Sequence, residues 1–466
     1  VTLIGPLFTL FLTPLYTRVL EPADYGVVDV ALTLSALLGA LAGFGIEGAV
    51  SAYYFETEDA ERRNMATTAV MIVAMIGVIF SVSLFIFAPY LSRLVFHQVE
   101  QTLTLQVLTI HVFCAPLYAL LSALLRLRMG IRRVNALGLS YLAALIGLNV
   151  FLVLGLHLKA NGIVMANAGA MFTGCVIGLA LAAQPLRGKF SSSWARKLLI
   201  AGVALLPASL SYLLLSNLDR LLLTQFVTQD EIGLYAIANK LASMESVVVS
   251  AVWAAWWPMA LEMANTPDGK IRIARIYELF MAGSILLSLA LGLFAPEILR
   301  FYTREAYVPA APYAAWLFLY MEPIGLTAAF FQIGLYTKRQ MRHISIALVF
   351  SVIVNVALNL LLDPAWRVWG ATIATVVAGV VWAGYCVWSS QRAMFIAPNW
   401  GRICFVTALY LGILIINSVG QITWSARLLA VIAVAFFSLV LIVGLNDTRT
   451  FLQSARSRIK NFKNSI

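Results

Sequence analysis

The stretch LTPLYTRVLEPADYGVVDVALTLSALLGALAGFGIEGAV, residues 12–50, decides the fold of this chain. A first apolar run ends near Arg18, and a short acidic connection leads into a second apolar run over residues 27–55. Both runs are continuously apolar, whereas the strands of a membrane β-barrel alternate apolar and polar residues. The stretch therefore predicts two helices that cross a membrane.

The composition extends this prediction to the whole chain. Its 466 residues are 61% hydrophobic and 11% charged, with a formal charge of +11. A soluble domain carries about 45–50% apolar and about 25% charged residues, so a soluble enzyme and a disordered chain are excluded. The sequence has no phosphate-binding GxxxxGK[ST] loop and no histidine pair with metal-ligand spacing. We expect no ATP-driven motor, no metal and no cofactor.

Apolar runs long enough to cross a bilayer recur along the chain. They predict an all-α polytopic membrane protein with about fourteen transmembrane helices. The predicted spans cover residues 1–17, 27–55, 67–88, 104–125, 136–157, 162–183, 198–218, 233–261, 275–295, 312–335, 344–362, 368–390, 402–419 and 427–445.

The basic residues orient these spans. The even-numbered loops and the C-terminal tail hold 23 lysine and arginine residues, whereas the odd-numbered loops hold 8. Because basic residues collect on the cytoplasmic side, both termini are predicted to be cytoplasmic. The excess of positive charge is thus an orientation signal and does not indicate nucleic acid. On this scheme Asp363, after the eleventh span, is counted with the outer loops.

The chain also repeats itself. The segment RVLEPADYGVV (residues 18–28) is similar to QFVTQDEIGLY (residues 225–235), and Pro116 and Pro323 have the same offset of 207 residues. Six spans separate the two copies, so the halves have the same orientation, as in transporters built from parallel repeats. We predict a six-helix lobe at 1–190, a second at 191–395, and helices 13 and 14 at 396–446.

The two ends of the chain carry further expectations. Only 17 residues precede Arg18, which is slightly short for a crossing helix, so we expect a few residues to be missing before Val1. Residues 447–466 place apolar side chains at helical spacing among basic ones, which predicts a basic amphipathic cytoplasmic tail on the anionic inner leaflet. A frayed basic terminus is the alternative.

Two stretches of this sequence resemble the oligosaccharide-flippase branch (Wzx-type polysaccharide biosynthesis proteins) of the multidrug/oligosaccharidyl-lipid/polysaccharide exporter superfamily. The first is residues 12–50, and the second is LSNLDRLLLTQFVTQDEIGLYAIANKLA, residues 215–242. Four features of the family are present in them. They are Arg18 after span 1, Asp24-Tyr25-Gly26 before span 2, Asp219-Arg220 after span 7, and the entry to span 8 from Gly233 to Lys240.

The resemblance implies a function. Proteins of this branch move a polyprenyl-diphosphate-linked oligosaccharide across the cytoplasmic membrane of a bacterium for surface polysaccharide synthesis, by alternating access. The implied partners are the lipid-linked glycan, membrane lipids, and a polymerase and other assembly proteins. The implied cavity lies between the two bundles and is lined by spans 1, 2, 7 and 8. The chain departs from the family in having few basic residues deep in its spans.

Alternatives stay open. A lipid II flippase and a multidrug/cation antiporter belong to the same superfamily, although the drug exporters normally have twelve spans. A membrane-embedded polymerase or glycosyltransferase would need a large outer loop with catalytic residues, which the sequence lacks. The chain is therefore expected not to be an enzyme. The sequence also does not distinguish a transporter from an assembly scaffold that transports nothing.

Charged residues near the outer ends of spans 1, 2, 7 and 8 are the candidates for substrate binding. We expect a basic cluster that attracts the diphosphate and pairs in part with two aspartates. Its members are Arg18, Arg220 and Lys240, and the aspartates are Asp24 and Asp219. Snorkelling of the basic side chains to the interface, with salt bridges in the loops, is the alternative.

Carboxylates inside spans are the candidates for ion coupling, because an ionisable group in the bilayer is costly and rarely accidental. These are Glu47, Glu245 and Glu322. The alternative is a carboxyl group hydrogen-bonded inside one bundle. The glycines around Glu47, in GFGIEG, are expected to bend span 2 or to admit a neighbouring helix. Three tryptophans on one face of span 8, Trp253, Trp256 and Trp257, fit either an interfacial belt or a sugar platform.

Overall fold

The computed structural model describes residues 4–128, 130–420 and 423–443, and this part of the chain contains helices but no strands. In chain order the α-helices are α1 Ile4–Val19, α2 Pro22–Gly43, α3 Ile46–Tyr53, α4 Asp59–Phe96, α5 Thr102–Leu127, α6 Ile131–Asn149, α7 Lys159–Leu181, α8 Ser192–Leu223, α9 Gln229–Met263, α10 Gly269–Leu293, α11 Ala295–Tyr302, α12 Ala311–Leu319, α13 Gly325–Thr337, α14 Arg342–Trp366, α15 Val368–Ala393, α16 Trp400–Val419 and α17 Trp424–Phe437.

Each predicted span coincides with a helix or with consecutive helices. Eleven helical segments in the described residues are long and apolar enough to cross a membrane, and α8 adds a twelfth if its two parts, which meet at 49°, form one span. The predicted fold class, an all-α multi-pass membrane protein, is thereby confirmed. The count of fourteen and the cytoplasmic termini stay predictions. The predicted tail, residues 447–466, lies outside the described residues.

The second span is broken where the sequence is richest in glycine. Helix α2 ends at Gly43, Phe44 and Gly45 take left-handed backbone angles (φ 50° and 67°), and α3 starts at Ile46. A side chain at Gly45 would overlap the backbone of Gly202 on α8. The glycines therefore both bend the span and admit a neighbouring helix, as the sequence predicts.

The tenth span is interrupted by a wider turn. Helices α12 and α13 are joined by the π-helical segment Tyr320–Ile324, which contains Glu322 and Pro323. Proline has no N–H to donate to the preceding turn, so it favours such a local change of helical pitch. Single π turns inside α-helices are frequent at functional sites. This interruption places a carboxylate at the irregular point of the span.

Part of the surface matches a lipid environment. Helix α4 runs for 38 residues and exposes a run of large apolar side chains. These are Met71, Met75, Val78, Ile79, Val82, Phe85, Ile86 and Phe87. A contiguous apolar surface of this kind is unfavourable in water and is expected against acyl chains.

The chain forms two compact units. The first unit consists of residues 1–236 and 348–374, and the second of residues 237–347 and 375–466. The core of the first unit is mainly aliphatic and contains the buried Cys175, whose thiol donates to the Cys114 carbonyl at 2.9 Å. The core of the second unit is rich in aromatic rings, including the fully buried Phe330 and Phe331. The predicted six-helix lobes at 1–190 and 191–395 stay a prediction.

The break of span 2 gives a testable prediction about stability. Gly45→Ala places a side chain in a left-handed backbone conformation, which costs about 1–2 kcal/mol, and against the Gly202 backbone, which adds to that cost. Gly147→Ala is the matched control, because a Cβ there meets nothing within 4 Å. We expect a lower thermal midpoint of the detergent-purified protein for Gly45→Ala alone. Equal midpoints for the two variants would contradict the assigned break.

Candidate transport site

The site begins where two repeat-related helices meet in the first unit. A side chain at Gly26 on α2 would overlap the Gln229 carbonyl and lie 3.0 Å from the backbone nitrogen of Gly233 on α9. A side chain at Gly233 would overlap the carbonyl of Pro22. Only glycine permits backbones to approach so closely. The two copies of the internal repeat thus contact each other through their equivalent glycines.

Ionic and polar contacts surround this glycine contact. The Arg220 guanidinium forms a salt bridge of 2.9 Å with Asp29, one turn after Gly26 on α2, and donates to the Asn217 amide oxygen at 2.7 Å. The Tyr235 hydroxyl donates to Asp219, which also accepts the backbone N–H of Arg220 at 2.9 Å. Asp219 is 2% exposed and the Arg220 side chain 12%. A buried cation in this position needs its carboxylate partners.

The predicted members of the basic cluster have different surroundings. Arg18, in the last turn of α1, is exposed, and Asp24, in the first turn of α2, is half-buried. Lys240 is half-buried on α9 in the second unit. The structure brings Asp219 and Arg220 together, but the salt bridge of Arg220 is with Asp29, which the sequence reasoning did not single out. The cluster of Arg18, Arg220 and Lys240 stays a prediction.

Asp363 occupies a different environment from the outer loop expected for it. It lies within α14 and is fully buried, as is Asn359 one turn earlier. Gly370, in the first turn of α15, packs closely against Asp363. A Cβ at Gly370 would lie 2.7 Å from the Asp363 carboxylate, so only glycine fits there. The placement in an outer loop was wrong, because α14 continues four residues beyond the predicted end of the span.

The side-chain oxygens of Asp363 and Asn359 receive no hydrogen bond from any residue that the structure describes. The Asn359 amide nitrogen donates to the Asn355 carbonyl at 2.7 Å, so the unused groups are the acceptor oxygens, which can take further hydrogen-bond donors. The spacing Asn-x-x-x-Asp at the end of a span is the sequence signal that could have found this pair.

A second ion pair lies at the same end of α9. Arg367, between α14 and α15, donates to Glu231 from Nε at 2.7 Å, and a second guanidinium nitrogen binds the other carboxylate oxygen. These hydrogen bonds lower the pKa of Glu231 to about 2. Since the usual pKa is 4.5, the stability that this pair contributes is present at neutral pH and is lost only as the pH falls from about 4.5 towards 2.

The three carboxylates predicted to couple ions are not equivalent. Glu47 forms a salt bridge of 2.9 Å with Arg126 of α5, and its side chain is 43% exposed. It also lines a cavity of about 500 Å³ beside Gly43 and Pro116. Glu245 and Glu322 are both buried in the second unit. The assignment of all three to ion coupling stays a prediction.

The aromatic face of α9 is part of the second unit. Trp256 is buried and stacks on Phe330, with ring centroids 5.6 Å apart. Trp253 and Trp257 line a cavity of about 380 Å³ together with Gln332 and Tyr336. Aromatic rings beside an amide form a surface that suits an apolar or a sugar ring. Trp256 is packed in the core. Neither an interfacial belt nor an accessible sugar platform requires this placement.

Comparison with solved structures identifies the class of the fold. The lipid II flippase MurJ in an inward closed conformation aligns with a TM-score of 0.72 and 12% identity, over 95% of this chain and 97% of that chain. An inward-facing multidrug resistance MATE transporter of the MOP superfamily aligns with a TM-score of 0.59 and 15% identity, over 84% of this chain and 94% of that chain. A MATE transporter from Vibrio cholerae aligns with a TM-score of 0.54 and 17% identity, over 84% of this chain and 94% of that chain. The chain has the fold of a MOP-superfamily transporter.

Comparison of sequences then identifies the family. Residues 1–264, more than half of the chain, match the family described as polysaccharide biosynthesis protein. The chain belongs to this family, and the resemblance found from its motifs is confirmed. The comparison with curated proteins gave no match.

The Asp29–Arg220 salt bridge gives the prediction of this subsection. Asp29→Asn leaves a buried guanidinium without its salt-bridge partner, which we expect to cost about 3–5 kcal/mol. The double variant Asp29→Leu with Arg220→Met removes both charges, so most of the stability returns. Thermal unfolding of the purified protein measures both effects.

The control is the exposed pair Arg62–Asp59, for which Asp59→Asn is expected to cost less than about 1 kcal/mol. If Asp29→Asn cost no more than Asp59→Asn, the buried pair would have no structural importance.

Proposed function

We propose that this protein is a flippase that moves a polyprenyl-diphosphate-linked oligosaccharide across the cytoplasmic membrane of a bacterium, for the synthesis of a surface polysaccharide such as O-antigen, capsule or exopolysaccharide. Membership of the polysaccharide biosynthesis family and the transporter fold support this proposal. Translocation makes and breaks no covalent bond, so the proposed role is transport and not catalysis. A polymerase and other assembly proteins are the proposed partners, together with membrane lipids.

The observation that carries the proposal is the glycine contact between the first turns of α2 and α9, together with the charged residues beside it. In the predicted orientation both helices begin at the outer face. Their glycine contact then holds the two helices together at this face. The Asp29–Arg220 pair lies one turn from the contact. Alternating access requires a contact that can form and separate, and a glycine contact with few interlocking side chains meets that requirement.

The charges suggest how the lipid diphosphate is attracted. Arg18 is exposed near the outer end of α1, so it can make the last contact with a phosphate before the lipid leaves the protein. Arg220 is held by Asp29 in this structure, and a diphosphate that displaces Asp29 would satisfy the same guanidinium with a second anion. Exchange of one anion for another avoids leaving a buried cation unpaired. We propose that Lys240, further along α9 and so further from the outer face, holds the diphosphate before it reaches Arg220.

The sugar end of the substrate needs a different surface. The cavity between Trp253, Trp257 and Tyr336 presents aromatic faces beside the Gln332 amide. Sugar rings pack their C–H faces on aromatic rings and use their hydroxyls for hydrogen bonds. We propose this cavity as a contact for the glycan.

Proteins with the same fold suggest two alternative substrates. Lipid II is the substrate named for the structural neighbour MurJ, and a MATE neighbour is described as a multidrug resistance transporter. The match to the polysaccharide biosynthesis family favours a lipid-linked oligosaccharide over both. A drug exporter would also normally have twelve spans, whereas the sequence predicts fourteen.

Deletion of the gene tests the proposed function. We expect a lipid-linked oligosaccharide to accumulate on the inner leaflet, because synthesis continues while its export stops. Mass spectrometry of the extracted lipids identifies it, and the intact gene on a plasmid restores export. Accumulation of lipid II would establish the alternative, and no accumulation of any lipid-linked sugar would contradict a flippase.

Charge reversal at Lys240 tests the proposed path of the diphosphate. Lys240→Glu places a negative charge where the diphosphate would pass, so we expect export to fall at least about tenfold. Lys338→Glu is the matched control, since Lys338 is exposed after α13. The amount of folded protein is measured in parallel. Unchanged export with Lys240→Glu would remove this residue from the mechanism.

A further inference from the structure

A cavity in the first unit lies beside the break of span 2. Its volume is about 500 Å³, which is in the range of small-ligand sites, and its walls come mainly from α2, α3 and α5. Most of the residues that line it are glycine or alanine, so little side-chain volume fills the space. Among the described residues that line it, Glu47 alone carries a charge. The cavity therefore joins open space to a single ionic group.

The partner of that ionic group comes from α5. Glu47, in the first turn of α3, accepts a hydrogen bond of 2.9 Å from a terminal guanidinium nitrogen of Arg126, in the last turn of α5. Both side chains stay accessible, since that of Arg126 is 54% exposed and that of Glu47 is 43% exposed. A ligand in the cavity can thus take the place of Glu47 at the guanidinium.

The end of α5 carries further positive charge. Arg128 follows directly after the helix, and Arg132 and Arg133 lie in the first turn of α6. All three side chains are exposed. The sequence of this turn, residues 126–134, contains no acidic residue. Because clustered basic side chains raise the local concentration of anions, this end of the cavity favours an anionic ligand.

The exposed pair of Glu47 and Arg126 is suited to exchange. A salt bridge between exposed side chains contributes little to stability, and a half-exposed carboxylate stays solvated when its partner leaves. A guanidinium can bind a phosphate through two parallel hydrogen bonds, whereas Glu47 receives one from Arg126. A diphosphate also carries more negative charge than a carboxylate. These differences favour a diphosphate over Glu47 as the partner of Arg126.

Span 2 carries a carboxylate paired with an arginine near each of its ends. Asp29 binds Arg220 in the half that is predicted to face outward, and Glu47 binds Arg126 in the half that is predicted to face inward. The path from Asp29 to Glu47 along the helices is at most about 27 Å, close to the ~30 Å thickness of the hydrocarbon core. The inner pair is the more accessible of the two, as the first contact of an entering ligand requires.

We propose that Arg126 and the adjoining cavity form the cytoplasmic loading site of the transporter, where the diphosphate of the lipid-linked substrate replaces Glu47 as the partner of the guanidinium. The site precedes Lys240 and Arg220 on the proposed path. The proposal rests on the proposed transport function and adds the place where the substrate is taken up. Glu47 acts here as a competing anion, a role that differs from the ion coupling predicted from the sequence.

Equilibrium binding of farnesyl diphosphate to the detergent-purified full-length protein tests the loading site. Arg126→Gln removes the guanidinium, so we expect the dissociation constant to rise at least about tenfold. Glu47→Gln removes the competing anion, so we expect the dissociation constant to fall by about two- to fivefold. Arg132→Gln is the matched control for the general positive field and should change the dissociation constant less than about twofold.

The opposite signs of the two effects separate a binding site from a structural salt bridge. A pair that only held α3 against α5 would be broken by either variant, so weaker binding in both Arg126→Gln and Glu47→Gln would overturn the proposal. Unchanged binding in Arg126→Gln would also overturn it.

A second pair of variants tests the cavity without changing any charge. Ala119→Leu places a larger side chain in the wall of the cavity, so we expect weaker binding of farnesyl diphosphate. Ala136→Leu, at an exposed position of α6, is the matched control and should bind as the wild type does. The thermal midpoint of each variant is measured in parallel to show that it is folded. Equal binding by the two folded variants would overturn the assignment of this cavity.

The choice of probe distinguishes the source of the diphosphate. Inorganic diphosphate has the charge without the chain, and farnesol has the chain without the charge. We expect each to bind at least about tenfold more weakly than farnesyl diphosphate. Equal affinity for inorganic diphosphate would overturn a lipid ligand in favour of a free anion. Binding of tetraphenylphosphonium that is lost in Glu47→Gln would overturn the proposal in favour of a cation site.

The outcome for the loading site is separate from the outcome for the proposed function. Unchanged binding in Arg126→Gln, together with accumulation of a lipid-linked oligosaccharide on gene deletion, would remove the loading site and leave the flippase in place. The expected binding pattern without such accumulation would retain a diphosphate site and contradict the flippase.

Discussion

The close contact of Gly26 with α9 is the constraint on which the rest of the site depends. Because the backbone of α2 meets that of α9 at two equivalent glycines, the residues that follow on each helix are fixed in register. Asp29 follows one turn later and meets Arg220, and Tyr235 follows Gly233 and meets Asp219. A larger side chain at either glycine would separate all of these partners. The contact explains why both copies of the repeat keep a glycine at this position.

Carboxylates in the described residues fall into two kinds, those with a basic partner and those without one. In the first unit Arg220 and Arg367 each have a carboxylate partner, so their charges are fixed at neutral pH. In the second unit Glu245 and Glu322 form no salt bridge with a described residue, and Ser288 donates a hydrogen bond to Glu245. Paired charges can be exchanged for those of a ligand, whereas unpaired carboxyl groups can change their protonation. The proposed role of Arg220 in substrate binding depends on such an exchange, and the ion-coupling role of Glu245 and Glu322 stays a prediction.

The sequence alone predicts those features that depend on neighbouring residues. The helical spans follow from apolar runs, and the break at Gly45 follows from clustered glycines. The equivalence of Gly26 and Gly233 follows from the repeat, but their contact does not. Features that depend on packing between distant segments could not be predicted. Glu47 pairs with Arg126, 79 residues away, and Arg220 pairs with Asp29, on the other copy of the repeat. Periodicity contains no information about such pairs.

Translocation by the purified protein tests the central claim most directly. The protein is reconstituted into vesicles that contain a labelled polyprenyl-diphosphate oligosaccharide in both leaflets, and a glycosidase is added outside. If the protein is a flippase, the enzyme reaches lipid from both leaflets in the vesicles with protein, but only the outer-leaflet lipid in protein-free vesicles. The same cleaved fraction in both preparations, with the protein shown to be folded, would contradict the proposed function.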